Sequence, residues 1–280
     1  MSVVQLPHRP APRNRDAPAP ARATPRPFPA RTGIAEVVRV RALTPRAVRV
    51  TLGGPALATF FVDQPGEIVT LLWPAPGHEL VLPARGWRFP AGVADAQHAR
   101  NYTVRRWDAA AGELDVDFAL HGDHGRAARW AAGAQPGDRV GFAGPRVHWA
   151  GGGEAAWTLL VADETGLPAV AAIAEALPAG HRAVALVEVA DAAEEQPIAT
   201  RAELDLRWLR RDGAGAGTTS LLADAVCALD LPAAPGRAWG GGEARAMRDV
   251  RRHLREERGL PAGAVSLLGY WKLRESDGWA

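Results

Sequence analysis

At 151–153 the chain reads "GGG", and around this point the spacing of its apolar residues changes period. Upstream the period is two, the spacing that lets a strand bury one face and expose the other. It runs through "IAEVVRV" (34–40), "RAVRVTL" (46–52), "EIVTLLW" (67–73), "YTVRRW" (102–107), "ELDVDFAL" (113–120) and "DRVGFAG" (138–144). Pro, Gly and Asp turn signals separate these strands, and one short helical stretch, "GRAARWAAG" (125–133), interrupts them. Six such strands predict a small closed antiparallel β-barrel over 31–150. The connection 74–99 is long for a hairpin, as functional loops often are.

Downstream, continuous apolar strands alternate with helices: "WTLLVAD" (157–163), a helix over 165–177, "RAVALVEVA" (182–190), "LRWLRR" (206–211), a helix over 220–229, "RAWGGGE" (237–243), a helix over 244–258 and "AVSLLGYW" (264–271). That order predicts a parallel sheet covered by helices, an α/β domain over 151–280. In the last helix Met247, Val250 and Leu254 mark the buried stripe and Gly259 the stop. Ligands of open parallel sheets bind beyond the carboxyl ends of the strands. The barrel is expected to form the opposite wall of that crevice.

Composition narrows the function. Residues 1–30 hold eight prolines and five arginines against one acid, Asp16, too little apolar surface to offset the entropy of ordering, so a disordered tail is expected. A net charge of +2, with an excess of arginine over acid in that tail, argues against nucleic acid as a partner. The single cysteine, Cys227, leaves no disulfide framework and no four-cysteine metal or iron–sulfur site, and fits a reducing cytoplasm. No run of eighteen apolar residues and no apolar signal core occurs, so neither a membrane span nor a secretory leader is expected.

Five stretches carry candidate chemistry. In "RNYTVR" (100–105) a ring, a hydroxyl and two guanidiniums stand side by side. Alternation puts Arg100, Tyr102 and Val104 on one face and Thr103 and Arg105 on the other, so Tyr102 and Thr103 meet one flat ligand only at its edge. An exposed strand with ordinary arginines reads as well on pattern alone. In "HGDHGRAARW" (121–130) glycines open a helix whose free N–H groups suit a phosphate. His121, Asp123 and His124 lack a third distant ligand cluster, so no metal site is assigned. "VADETGLPA" (161–169) sits where a strand enters a helix but lacks G-x-G-x-x-G. "WGGGEARAMR" (239–248) is a second such junction, and "LLGYWKL" (267–273) ends a strand on two aromatics and a lysine.

Taken in order, these motifs over roughly 33–272 resemble the siderophore-interacting protein family, FAD-dependent ferric-siderophore reductases related to the ferredoxin reductases. The resemblance implies an FAD-binding barrel followed by an NAD(P)H-binding domain. "RNYTVR" is similar to R-x-Y-T-x-R. It implies phosphate or ribityl contacts from Arg100 and Arg105, the ring face from Tyr102, a neighbouring contact from Val104 and the flavin N5 edge at Thr103. Thr103 and Tyr102 are then the catalytic candidates. "HGDHGRAARWA" resembles the segment that wraps the FAD pyrophosphate and implicates His121, Gly125, Ala127 and Trp130. "ADETGLPA" resembles D-E-T-x-L-P-A at the nicotinamide-nucleotide site, which implicates Asp163, Glu164 and Thr165. "WGGGE" and "GYWK" resemble elements near nicotinamide and flavin, implicating Gly242, Glu243, Tyr270 and Trp271. Arg146 and Lys272 match two of three basic positions that attract anionic ferric siderophores. Thr70 stands where the third carries lysine, and Val147 where a glycine is common.

The expected function is NAD(P)H-dependent release of Fe(II) from ferric siderophores by a cytoplasmic monomer. NADH and NADPH stay open: Arg210 and Arg211 suit a 2′-phosphate, Glu188 a ribose hydroxyl. The alternatives are a general NAD(P)H:flavin or quinone oxidoreductase and a non-catalytic FAD-containing siderophore-binding protein.

Overall fold

The computed structural model describes residues 31–84, 97–120, 125–147 and 155–273. The N-terminal stretch 1–30, His121, Asp123, His124 and the triple glycine at 151–153 lie outside the described residues.

The first sheet is built from β1 (Arg31–Thr44), β2 (Ala47–Gly53), β3 (Ile68–Pro74), β4 (Gln97–Thr103), β5 (Arg106–Asp108), β6 (Glu113–Ala119) and β7 (Arg139–Arg146). Its order is β4-β3-β7-β1-β2-β6-β5, with antiparallel pairing at every step. The strand expected over 102–107 is broken. β4 ends at Thr103 and pairs with β3, whereas β5 begins at Arg106 and pairs with β6. Between them Val104 N donates to Glu67 O (2.7 Å) and Arg105 N to Asp115 O (2.9 Å). One continuous piece of chain therefore serves both ends of the sheet, and six strand paths close into a ring. Val69, Leu71, Trp73, Val116, Phe118 and Phe142 fill the interior, and α1 (Arg126–Gly133) lays Ala127 and Ala131 on it.

The second sheet is parallel, in the order β10-β9-β8-β11-β12. Its strands are β8 (Trp157–Ala162), β9 (Arg182–Val189), β10 (Glu203–Arg210), β11 (Gly236–Glu243) and β12 (Val265–Trp271). The helices α2 (Leu167–Ala176), α3 (Leu221–Cys227) and α4 (Ala244–Arg252) connect them. The predicted stripe of α4 is buried at Met247, Val250 and Leu254. Among the described residues no helix is long and apolar enough to cross a membrane.

Two ties join barrel and sheet on one side: Thr44 Oγ1 donates to the buried Glu194 (2.5 Å), and Arg105 forms a two-point pair with Glu175 of α2 (2.5 and 2.8 Å). Within the sheet, Asp163 ties three strand ends together. Its Oδ2 accepts from Trp271 Nε1 and from Glu243 N, both at 2.8 Å. Its Oδ1 accepts from Thr165 N (2.9 Å) and Thr165 Oγ1 (2.6 Å). Burial pushes this carboxyl up to about 6, against the pull of the Thr165 and Trp271 hydrogen bonds.

Four donors converge on two oxygens, so Asp163→Asn, which turns one acceptor into a donor, is expected to destabilise the protein at pH 7 by about 1–3 kcal/mol. The folded pKa lies above the ordinary value of 3.8. Stability from the protonated form is thus present below pH 3.8 and is lost as pH rises through 6. Urea unfolding from pH 4 to 8 should show the wild type losing ground to the variant up to about pH 6, then parallel curves. Parallel curves throughout would mean that Asp163 titrates normally.

Candidate active site

The outer face of β3, β4 and β7 carries the site on the barrel side. Cross-strand register pairs Ile68 with Thr103 and Thr70 with Asn101. Arg146, at the end of β7, reaches back onto that second pair: Nη2 donates to Thr70 Oγ1 (2.9 Å) and Asn101 Oδ1 (2.8 Å), and Thr70 donates to Asn101 at 2.6 Å. Thr70, 3% exposed, is thus an anchor for Arg146. Burial lowers the pKa of that guanidinium. Sequence reasoning missed Asn101, although strand alternation places it on the Thr103 face.

Tyr102 turns the other way. Its ring packs on Phe118 (centroids 4.3 Å apart) and edges onto Trp73 (6.3 Å), and burial raises its phenol well above the ordinary value. Val104 is buried in the same core. Tyr102 and Thr103 therefore lie on opposite faces, and a common flat ligand meets both only at an edge. Of the two arginines in this motif, Arg100 is exposed and donates to the neighbouring Ala99 carbonyl (2.9 Å). Arg105 is committed to carboxylates, paired with Glu175 and 3.9 Å from Asp117. It stands at the seam between the domains, where the motif implied a phosphate or ribityl contact.

Beside the barrel opening, Trp73, His78, Arg126, Arg129 and Trp130 line a groove of about 490 Å³. Gly125 precedes α1 with φ 91°, a conformation that favours glycine, and no side chain caps the helix among the described residues. Uncapped N–H groups and two arginines suit a pyrophosphate. Ala127 sits beneath, packed into the core.

On the sheet side, most of the motif residues hold one another. Thr165 and Trp271 donate to Asp163. Glu243 caps α4 by accepting from Arg245 N (2.5 Å) and Ala246 N (3.0 Å). A Cβ on Gly242 would come within 2.8 Å of Asp163 Oδ2, and one on Gly241 within 2.9 Å of the Tyr270 ring. Gly242 thus lets the backbone lie close to Asp163. Glu164 pairs with Arg211, which also donates to the buried Glu188 at 3.3 Å. Lys272 is exposed.

Two of the buried polar atoms that lack a hydrogen bond of good geometry among the described residues are Thr103 Oγ1 from the barrel and the Tyr270 hydroxyl from the sheet, and these two lie within reach of each other. Burial pushes the Tyr270 phenol up to about 12, with Thr103 close enough to pull slightly the other way. A buried hydroxyl without a partner carries a desolvation cost that a bound ligand's polar edge removes. The donors present therefore fit a flat, pyrophosphate-bearing cofactor whose polar edge reaches Thr103.

Comparison with known proteins agrees with this geometry. Residues 36–149 match the siderophore-interacting FAD-binding domain and residues 155–274 the siderophore-interacting protein domain. The crystal structure of a siderophore utilization protein from T. fusca is 42% identical, with a TM-score of 0.82 over 92% of this chain and 98% of that one. Ferric vibriobactin reductase ViuB of Vibrio cholerae is 30% identical over 250 residues, 86% of this chain and 90% of that protein. An NADPH-dependent ferric-chelate reductase of Escherichia coli is 30% identical over 241 residues, 84% and 91% of the two chains. With both domains matched, the chain belongs to the siderophore-interacting protein family.

Proposed function

We propose that this chain is a cytoplasmic, FAD-containing, NAD(P)H-dependent ferric-siderophore reductase that releases iron as Fe(II). The observation that carries the reading is the pair of buried hydroxyls, Thr103 and Tyr270, contributed by the two domains to one place, neither with a hydrogen bond of good geometry. FAD, when bound, supplies the conversion between a hydride's electron pair and the single electrons that ferric iron accepts. One NAD(P)H thus yields NAD(P)⁺, a proton and two Fe(II). Thr103 would hold the reactive edge of the cofactor by donating its O–H. Arg126 and Arg129 would pair with the pyrophosphate, and Trp73 and Trp130 would wall the groove. Tyr270, whose ring lies against Gly241, keeps water from the seam. Arg146, fixed by Thr70 and Asn101, and the exposed Lys272 would draw an anionic chelate to the opening. The iron is substrate, already ligated by its chelator.

The direct test is optical. Purified protein should be yellow, bleach anaerobically with NADH or NADPH, and regain colour when a ferric siderophore is added and a ferrous trap reports Fe(II). Bleaching without iron-dependent recovery would make it a general flavin or quinone reductase. Yellow protein that does not bleach would be a binder.

Thr103→Val is expected to leave the stability of the FAD-free protein nearly unchanged, since the Thr103 hydroxyl lies near the Tyr270 hydroxyl without making a hydrogen bond of good geometry. In loaded protein it should weaken FAD retention by about 2- to 12-fold, the worth of one neutral hydrogen bond. Equal FAD affinity by equilibrium dialysis would remove Thr103 from the cofactor site.

At the opening, Lys272→Ala should slow reoxidation by anionic ferric chelates at low salt and much less at high salt, since exposed charges are screened over about 10 Å at 0.1 M. Thr70→Val should slow it at both, because Arg146 loses an anchor rather than its charge. Stopped-flow rates at two ionic strengths separate the two effects. Unchanged oxidative half-reactions in both variants would refute the charged opening.

A further inference from the structure

The two ends of the crevice differ in what their charged groups are doing. Thr103 and Tyr270 mark the redox end, on the β12 side of the sheet. A dinucleotide laid across the strand ends then puts its adenosine ribose on the opposite side, at β9 and β10. There β9 ends at Val189, opposite Arg210 in the register. Arg211 N and Asp212 N continue the pairing, donating to the carbonyls of Val189 (2.9 Å) and Ala190 (3.0 Å). Asp212 turns the chain at φ 46°, just beyond the arginines.

Both cations at this end already have carboxylate partners. The Arg211 side chain is 5% exposed and is held between Glu164 and Glu188, which in turn accepts from Thr219 Oγ1 at 2.9 Å. Turning it toward a ligand would leave two carboxylates, one of them buried, without their counter-charge. Arg210 is half-exposed, with Nη2 at 2.6 Å and Nε at 2.7 Å from Glu195 Oε1. Asp191, at the end of β9, uses Oδ1 to accept from Ala193 N (2.9 Å) and keeps Oδ2 unpartnered among the described residues. A carboxylate after the second strand is the acceptor that a ribose 2′-hydroxyl requires, and it repels a 2′-phosphate.

We infer that the adenosine end selects NADH over NADPH: Asp191 accepts from the ribose hydroxyls, and Glu164, Glu188 and Glu195 keep Arg210 and Arg211 from serving a 2′-phosphate. This rests on the reductase reading above and specifies its electron donor. It also sets the chain apart from the relative named as NADPH-dependent.

The test uses FAD-loaded protein and two independent readouts. Calorimetry with AMP and with 2′,5′-ADP reads the adenosine end alone, and anaerobic bleaching with NADH and NADPH reads electron transfer. AMP should bind at least about 10-fold more tightly than 2′,5′-ADP, the factor of one charge-assisted hydrogen bond, and NADH should lead by a similar factor in kcat/KM. Asp191→Ala should erase most of that gap by weakening AMP and NADH. Glu195→Gln should narrow it from the other side, by releasing Arg210 to 2′,5′-ADP and NADPH. Tighter binding of 2′,5′-ADP, or equal use of the two nucleotides, would overturn the inference. If neither nucleotide bleaches the flavin, the reductase reading falls, and the AMP and 2′,5′-ADP pair still decides the specificity of the adenosine end.

Discussion

A single buried carboxylate organises the α/β half of this protein. Asp163 accepts four hydrogen bonds, and their donors come from the turn after β8, the end of β11 and the end of β12. A charge taken out of water persists only when such donors replace its hydration. Asp163 does not need to touch a ligand to matter to one. By fixing Trp271 it fixes the strand end that carries Tyr270, and by holding Glu243 N it sets the start of α4.

The barrel solves a different problem. A closed sheet must turn one strand from one neighbour to another, and here the turn falls at Val104–Arg105. Val104 drops into the core while Arg105 swings to Glu175 on α2. The break that closes the barrel thus also supplies the pair that holds the α/β domain against it. Thr103, the last residue before the break, is left facing that domain. Closure, docking and placement of the hydroxyl are consequences of one backbone event.

The periods of two and of strand–helix alternation made both sheets legible, because burial of one face or of both leaves that mark on apolar spacing. The break at 104–105 was not legible, since pairing partners are non-local and nothing in "YTVRRW" marks the change. The motifs "RNYTVR", "ADETG" and "WGGGE" located the seam. They did not reveal which residues serve the seam and which serve each other. Asp163, Thr165, Gly242 and Glu243 do hold one another, through contacts that join segments about eighty residues apart. Asn101 was within reach: it stands in the same quoted motif, on the face that alternation assigns to Thr103.

The same distinction explains why charge counting misleads at both ends of the crevice. Arg105, Arg210 and Arg211 look like phosphate ligands in the sequence, but each is neutralised by a carboxylate that folding brings to it from a distant segment. Arg146 differs in kind. Two of its partners are a hydroxyl and an amide oxygen, which orient the guanidinium. Thr70 in place of lysine therefore changes the opening twice: it removes one cation, and it gives the remaining guanidinium a fixed direction.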